Sequence, residues 1–338
     1  MNKSLVITSI AKPTKTLKII AKKCSKNLID VLIIGDKKSP KKFNLNNTHF
    51  YSLKDQLKLD FSYKKKCPHN SYSRKNIGYL IAIKNNAKII FDVDDDNEPK
   101  NNFFNIKPIK NKTYLIKNSG WINVYNYFSN QNIWPRGFPL SELKNKKKSL
   151  KKKLNAICPI NQRLANNNPD VDAIYRLVNK IPFNFKDSAD VALGKNSWCP
   201  FNSQNTIWHQ VSFPLMYLPS FCTFRMSDIW RSLIAQRICW INGWSILYSS
   251  STVTHIRNDH DLIKDFHDEI PGYLYNKEIA KKLSNLKLKK GIKYLTHNLY
   301  KCYKLLCDER FIQKKELDLL KLWISDIRKI KTQNDIKK

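Results

Sequence analysis

The stretch that decides the fold is Arg74–Glu98, RKNIGYLIAIKNNAKIIFDVDDDNE. Ile77, Leu80 and Ile81 fall at helical spacing, so a helix is expected to begin near Ser73 or Arg74. Ala87–Val93, AKIIFDV, is apolar almost throughout, as a central parallel strand is when both faces are covered. That strand runs into Asp92, Asp94, Asp95 and Asp96. In open α/β sheets ligands bind outside the carboxyl ends of the strands, so these acids stand where a ligand and a metal belong.

Toward the N-terminus, Leu5–Ile10 reads as a first buried strand. Pro13 opens a helix with Leu17, Ile20, Ala21 and Cys24 on one face. Asp30–Ile34 is a second strand closed by Gly35 and Asp36, and His49–Ser52 a brief third, which makes Ala87–Val93 the fourth. Strands alternating with helices predict an α/β fold with a parallel, doubly wound sheet. Beyond the acids, residues 99–112 read as a loop. Trp121–Leu140 reads as an aromatic loop that either lines a site or plugs a core edge, and Lys144–Lys153 as an exposed basic insertion. Asn166–Asp172 turns into a helix capped by Asp170 or Asp172, and Ser197–His209 shows no clear period. Arg225–Asn242 is a helix headed by Ser227 or Asp228, and Ser245–Ile256 a closing strand. After His260 the pattern is helical and basic, dividing the chain into a sheet-bearing domain, 1–260, and a helical extension, 261–338.

The 42% hydrophobic and 12% aromatic content of the 338 residues supplies a packed core and excludes global disorder. Basic side chains outnumber acidic ones 61 to 27, for a formal charge of +34. Lys and Asn are spread over loops and helix faces alike, the pattern of a solvated surface. No zinc-finger, RNA-recognition or helix-turn-helix signature accompanies the charge, so no specific nucleic-acid partner is expected. The basic surface leaves peripheral contact with an anionic membrane face open. Eight cysteines are scattered without a CxxC pair, several in apolar settings such as SFCTF, which excludes a zinc ribbon and a disulfide scaffold. The apolar run in MNKSLVITSIAKP is too short for a signal peptide, and no stretch approaches the ~20 apolar residues of a membrane helix. A cytoplasmic location is expected.

Three aspartates in DVDDDN offer hard oxygen ligands suited to Mg²⁺ or Mn²⁺. A calcium loop is excluded, because its sixth position is Asn97 instead of Gly and its twelfth Phe103 instead of Glu. A phosphatase using Asp92 as nucleophile and Asp94 as acid would carry its DxD on the first strand, with a small or hydroxyl residue following. A divalent metal holding a diphosphate fits better, since the cation would neutralise a leaving nucleotide.

RKNIGYLIAIKNNAKIIFDVDDDN, NVYNYFSNQNIWPRGFPL, NNNPDVDAIYRL, PFNSQNTIWH and FRMSDIWRSLIAQRICW followed by RNDHD form five ordered blocks over most of 70–270. On these the chain resembles the STELLO-type glycosyltransferase-like family and, more distantly, the reversibly glycosylated polypeptides that act as UDP-arabinopyranose mutases. The resemblance implies a glycosyltransferase-A-like doubly wound mixed sheet, a Mn²⁺ or Mg²⁺ cofactor, a nucleotide-sugar donor and a glycan or other hydroxyl acceptor. Plant members resemble Golgi membrane proteins that assist cellulose synthesis, so polysaccharide biosynthesis is the implied setting.

Carried onto this chain, the blocks imply Asp94 and Asp96 as metal ligands and Asp95 near ribose or sugar, with Asp92 anchoring the loop. Arg74 and Asn76 would reach donor phosphate or sugar. Arg136 would be a second cation on the diphosphate, with Gly137 allowing close backbone approach and Trp134 stacking on sugar or base. Asn202, Gln204 and Asn205 would hydrogen-bond sugar hydroxyls, and Asp170 and Asp172 either do the same or cap a helix. Asp228 is the expected general base, flanked by Arg225 and Arg231 for acceptor or phosphate, and His255 or His260 a further metal ligand. The rivals are a mutase or non-catalytic donor-binding protein on the same fold, and a basic polyanion-binding protein.

Overall fold

The computed structural model describes residues 2–145, 147–257 and 261–336; His260 lies outside them. Its first half runs β1 (Lys3–Thr8), α1 (Lys15–Lys26), β2 (Ile29–Ile34), β3 (His49–Tyr51), α2 (Leu53–Lys58), α3 (Lys75–Lys84) and β4 (Ile89–Val93). The Thr14 side chain caps α1 by accepting the Leu17 N–H at 3.1 Å. The four strands are parallel in the order β3-β2-β1-β4, as expected from their alternation with helices. Because side chains alternate along a strand, Leu5 and Ile7 pack with Leu17, Ile20 and Cys24 of α1, while Val6 faces Ile77 and Leu80 of α3. Gly78 lets α3 settle on the sheet, since a Cβ there would lie 2.5 Å from Val6 Cγ1 and 2.8 Å from Ile34 Cγ1.

The second half departs from the expectation. It runs β5 (Asn97–Pro99), β6 (Lys110–Ile116), β7 (Gly120–Trp121), β8 (Lys153–Ile157), β9 (Ile160–Asn166), α4 (Ala173–Val178), β10 (Val191–Leu193), β11 (Ser197–Trp198), β12 (Asn205–His209), α5 (Ser227–Ile241) and β13 (Ile246–His255). The main sheet reads β3-β2-β1-β4-β12-β9-β13-β10-β6-β8, with β5 paired to β13. β12 is antiparallel to both β4 and β9, and β13 is parallel to β9, so the sheet is mixed. β1, β2, β4, β9 and β13 therefore all point their carboxyl ends to one edge. Residues 99–112, expected as loop, already enter β6 at Lys110, and the basic run ends in edge strand β8. The aperiodic Ser197–His209 holds the central strand β12.

The chain ends in α6 (Leu262–Asn285), α7 (Leu295–Asp308) and α8 (Glu316–Ile336). Leu299, Leu306, Leu320 and Trp323 share one apolar cluster with Ile77 and Leu80 of α3 and Ile234 of α5. α8 is further tied to the first half by Asp326, which accepts the Ser62 and Tyr63 N–H groups at 2.8 Å each. The whole is the mixed α/β sheet with a helical C-terminal region expected of a glycosyltransferase-A-like fold. Among the described residues no helix is long and apolar enough to cross a membrane.

Candidate functional site

A cavity of about 410 Å³ lies outside the shared carboxyl edge. Ser9 after β1, Gly35 and Asp36 after β2, Asp94–Asp96 after β4, Asp170 beyond β9 and His255 at the end of β13 all line it. A crevice at this edge, where the strand order doubles back, is the usual ligand site of such sheets.

The four acids separate by depth. Asp92, inside β4, is fully buried: Lys75 Nζ lies 2.8 Å from Oδ1, Arg231 Nη1 2.9 Å from Oδ2, and Tyr79 donates its hydroxyl at 2.7 Å. Asp94 has one oxygen bound, accepting from Tyr72 at 2.6 Å and Lys75 at 3.0 Å, and its side chain keeps 32% of its surface open. Burial and the Asp96 charge push the Asp94 carboxyl up against the pull of Lys75. Asp95 accepts the Ser9 hydroxyl at 2.5 Å, yet burial and the flanking Asp96 and Asp94 charges push it up to about 6. Asp96 Oδ2 lies 3.1 Å from His255 Nε2, while His255 Nδ1 is 2.5 Å from the Asn168 carbonyl and 2.8 Å from Gln204 Nε2.

This donor set fits Mg²⁺ or Mn²⁺. The ligands are hard carboxylates, and their mutual repulsion is the charge that a divalent ion removes. Among the described residues no three His, Cys, Asp or Glu side chains are gathered closely enough to hold an ion unaided. Such a cation would need oxygens from a bound ligand, as Mg²⁺ commonly does with substrate phosphates.

Arg136 organises the neighbouring wall. Its Nε and Nη2 donate to the two oxygens of Asp170 at 2.8 and 3.0 Å, and Nη1 and Nη2 to those of Asp228 at 3.0 and 2.9 Å; Nη1 also reaches the Arg225 carbonyl. Asp228 further accepts from the Ser203 N–H at 3.1 Å and hydroxyl at 3.2 Å, and Asn202 donates to Asp170 at 2.8 Å. Burial works to raise both carboxyls, but the Arg136 guanidinium outweighs it and holds both below the usual range. Arg74, Arg176, Arg225 and Arg257 line the same cavity.

Of the residues expected from sequence, Asp94, Asp95, Asp96, Arg74, Arg136, Gln204, Asp228 and His255 are brought together around this cavity. Several do other work than expected. The Arg74 guanidinium donates to Gln56 Oε1 and to the Cys67 and Pro68 carbonyls, bracing the turn before α3. Asn76 is buried and clasps the Leu218 backbone through both amide atoms, at 2.8 and 2.9 Å. Trp134 is buried with Nε1 donating to Asp172 at 2.6 Å, so it has no free face for a ligand, and Asp172 caps α4 through the Tyr175 N–H. Asn205 bonds Arg163, the Leu164 carbonyl and Thr252 inside the sheet, and Arg231 pairs with Asp92 beneath the site. Asn202 lines a small side chamber. Gly137 takes φ +81°, and a Cβ there would lie 2.5 Å from Ile229 Cγ2, so helix packing accounts for it. Arg136, expected as a second cation on the diphosphate, lines the cavity with its fork filled by the Asp170 and Asp228 carboxylates.

Sequence reasoning missed Lys75, Tyr72, Ser203, Ser9, Arg176 and Arg257. Ser9 and Arg257 follow strand ends at the ligand edge, a signal readable once the directions of β1 and β13 are known.

Residues 225–335, from the turn before α5 into α8, match the family of STELLO glycosyltransferases. A 266-residue alignment covering 72% of this chain is 31% identical to "Probable glycosyltransferase STELLO2" and 30% to "Probable glycosyltransferase STELLO1", both of Arabidopsis thaliana. The chain spans about a third of the length of these relatives, 34% in each case.

Proposed function

We propose that this chain, which belongs to the STELLO-type glycosyltransferase-like family, is a metal-dependent glycosyltransferase moving a sugar from a nucleotide-diphosphate donor to a glycan or other hydroxyl acceptor. The observation that carries the reading is the pair Asp94 and Asp96, opening from the end of β4 into the cavity with Lys75 fixed behind them. A bound Mn²⁺ or Mg²⁺ would join these carboxylates to the diphosphate and supply charge neutralisation of the leaving nucleotide.

The chain's own groups have separable duties in this reading. Tyr72 and Lys75 fix Asp94 in one orientation, leaving its second oxygen toward the cavity. Asp95 accepts a ribose or sugar hydroxyl, and Gln204 orients His255 beside Asp96. Asp228, with both oxygens taken by Arg136 and Ser203, is a poor proton acceptor; we assign it the positioning of that wall in place of acceptor deprotonation. All eight thiols are free, which suits a reducing compartment and supports a cytoplasmic site of action.

Asp94→Asn and Asp96→Asn should each abolish Mn²⁺-dependent binding of nucleoside diphosphates in calorimetry while circular dichroism stays unchanged. Undiminished binding by both variants overturns the proposal. Incubation with labelled UDP-sugars then separates transfer to an acceptor from ring isomerisation, the mutase outcome.

A further inference from the structure

Arg176, Arg225 and Arg257 come from three separate elements, α4, the turn before α5 and the segment after β13, and meet on one cavity. Two of them have carboxylate partners: Arg225 Nη2 is 2.7 Å from Glu269 and Arg257 Nη2 2.6 Å from Asp265. Arg176 is held differently. Its Nη2 donates to the Pro169 carbonyl at 2.6 Å, Nη1 reaches Asn168 Oδ1 only at 3.5 Å, and Nε is buried without a partner. Among the described residues no carboxylate stands within ion-pair distance of it, although Asp170 and Asp265 attract it from farther off. Burial and the repulsion of Arg257 and Arg225 bring the Arg176 guanidinium down to about 10. Glu269 and Asp265 thus neutralise Arg225 and Arg257, and among the described residues Arg176 is the cation of the three with no carboxylate at contact distance, so an anion entering the cavity would complete its pairing. Their planar forks match the oxygens of phosphate or carboxylate.

In the strand order, Ser9 and Gly35 follow β1 and β2 on one side of β4, while His255 and Arg257 end or follow β13 on the other; Arg176 of α4 and Arg225 of the turn before α5 line the same cavity. With the diphosphate at the acids, a nucleoside on one side brings no further anion.

We infer that Arg176, Arg225 and Arg257 form a second anion subsite, which takes an oxyanion carried by the transferred sugar or by the acceptor. The word "second" rests on the proposed donor site; the anion site itself does not.

The test is calorimetric titration of the full chain with inorganic phosphate, glucuronate and glucose, first without metal and then saturated with UDP and Mn²⁺. Phosphate or glucuronate should bind where glucose does not, and should still bind with UDP and Mn²⁺ present. Phosphate favoured over glucuronate identifies a phosphorylated substrate, and the reverse order a uronic-acid type. Arg176→Gln should weaken the anion at least tenfold, and Arg257→Gln likewise, while exposed Lys180→Gln should not. Three results overturn the inference: neither anion binds, UDP with Mn²⁺ displaces the anion, or Lys180→Gln weakens it as much as Arg176→Gln. If Asp94→Asn and Asp96→Asn both retain UDP binding while phosphate still binds through Arg176, the donor reading fails and the anion site stands.

Discussion

The Lys75 ammonium lies 2.8 Å from Asp92 Oδ1, with both side chains wholly buried, and the same nitrogen lies 3.0 Å from Asp94 Oδ1. One cation thus ties an acid inside β4 to the first acid beyond it, and joins α3 to the ligand edge. Removing one partner of a buried pair leaves an uncompensated charge, which costs about 3–5 kcal/mol. Because Arg231 still holds the other oxygen of Asp92, Lys75→Met should fall near the lower figure, roughly 3 kcal/mol. Urea unfolding monitored by fluorescence reads it directly, and an unchanged midpoint would remove Lys75 from this role.

Asp95 makes a pH-dependent prediction. Its carboxyl is raised from 3.8 to about 6 by burial and by Asp96 and Asp94. A raised acid favours the fold in its protonated form, so its contribution is fully present below pH 3.8 and is lost as pH rises through about 6. The loss is on the order of 3 kcal/mol from the usual conversion of about 1.4 kcal/mol per unit. Asp95→Asn keeps an oxygen for the Ser9 hydroxyl and carries no charge. It should therefore match the wild type in thermal melting at pH 4 and exceed it at pH 8. Equal melting at both pH values would show that Asp95 carries no such strain.

Arg136 should show the opposite sign. It holds Asp170 and Asp228 below their usual range, and a lowered carboxyl lends stability above its unfolded value near 3.8, lost as pH falls toward the folded one. Arg136→Met should destabilise by about 3–5 kcal/mol at pH 7. The difference from wild type should shrink as acid protonates both carboxylates. A constant difference between pH 7 and pH 2.5 in denaturant midpoints would count against the fork.

The parallel half of the sheet was legible because β1, β2 and β4 are apolar runs covered on both faces. β9 was not, although every residue of INQRLA is buried. Its polar side chains find partners far away in sequence: Asn161 accepts from Ser249, Gln162 accepts the Asn202 N–H at 2.8 Å, and Arg163 donates to Asn205 while lying over the rings of Phe91 and Phe103. Periodicity treats such residues as surface, and only the assembled sheet supplies their partners. The same cause explains Arg74, Asn76 and Asn205, polar residues that looked like ligand contacts and are internal braces. Asp94–Asp96 were readable because a strand end identifies itself locally. Arg176 and Arg257 reach the site only through the parallel direction of β9 and β13, which no local pattern reveals.

Gly137 separates a packing role from a ligand role. Its φ of +81° disfavours any side chain, and an added Cβ would meet Ile229 Cγ2 at 2.5 Å, where α5 crosses the WPRGFP turn. Asn276 of α6 also donates to the Gly137 carbonyl at 2.7 Å, so the turn is gripped from a second helix and cannot swing clear. Gly137→Ala should cost about 2–4 kcal/mol, roughly 1 from the left-handed backbone and 1–3 from overpacking. Ile229→Ala removes the obstructing methyl, so in the double variant the two changes should be less than additive, by about 1 kcal/mol or more. Nucleoside-diphosphate affinity should follow folded fraction in both variants. A Gly137→Ala protein that melts like the wild type but loses the nucleotide would reverse the assignment and return this glycine to the diphosphate.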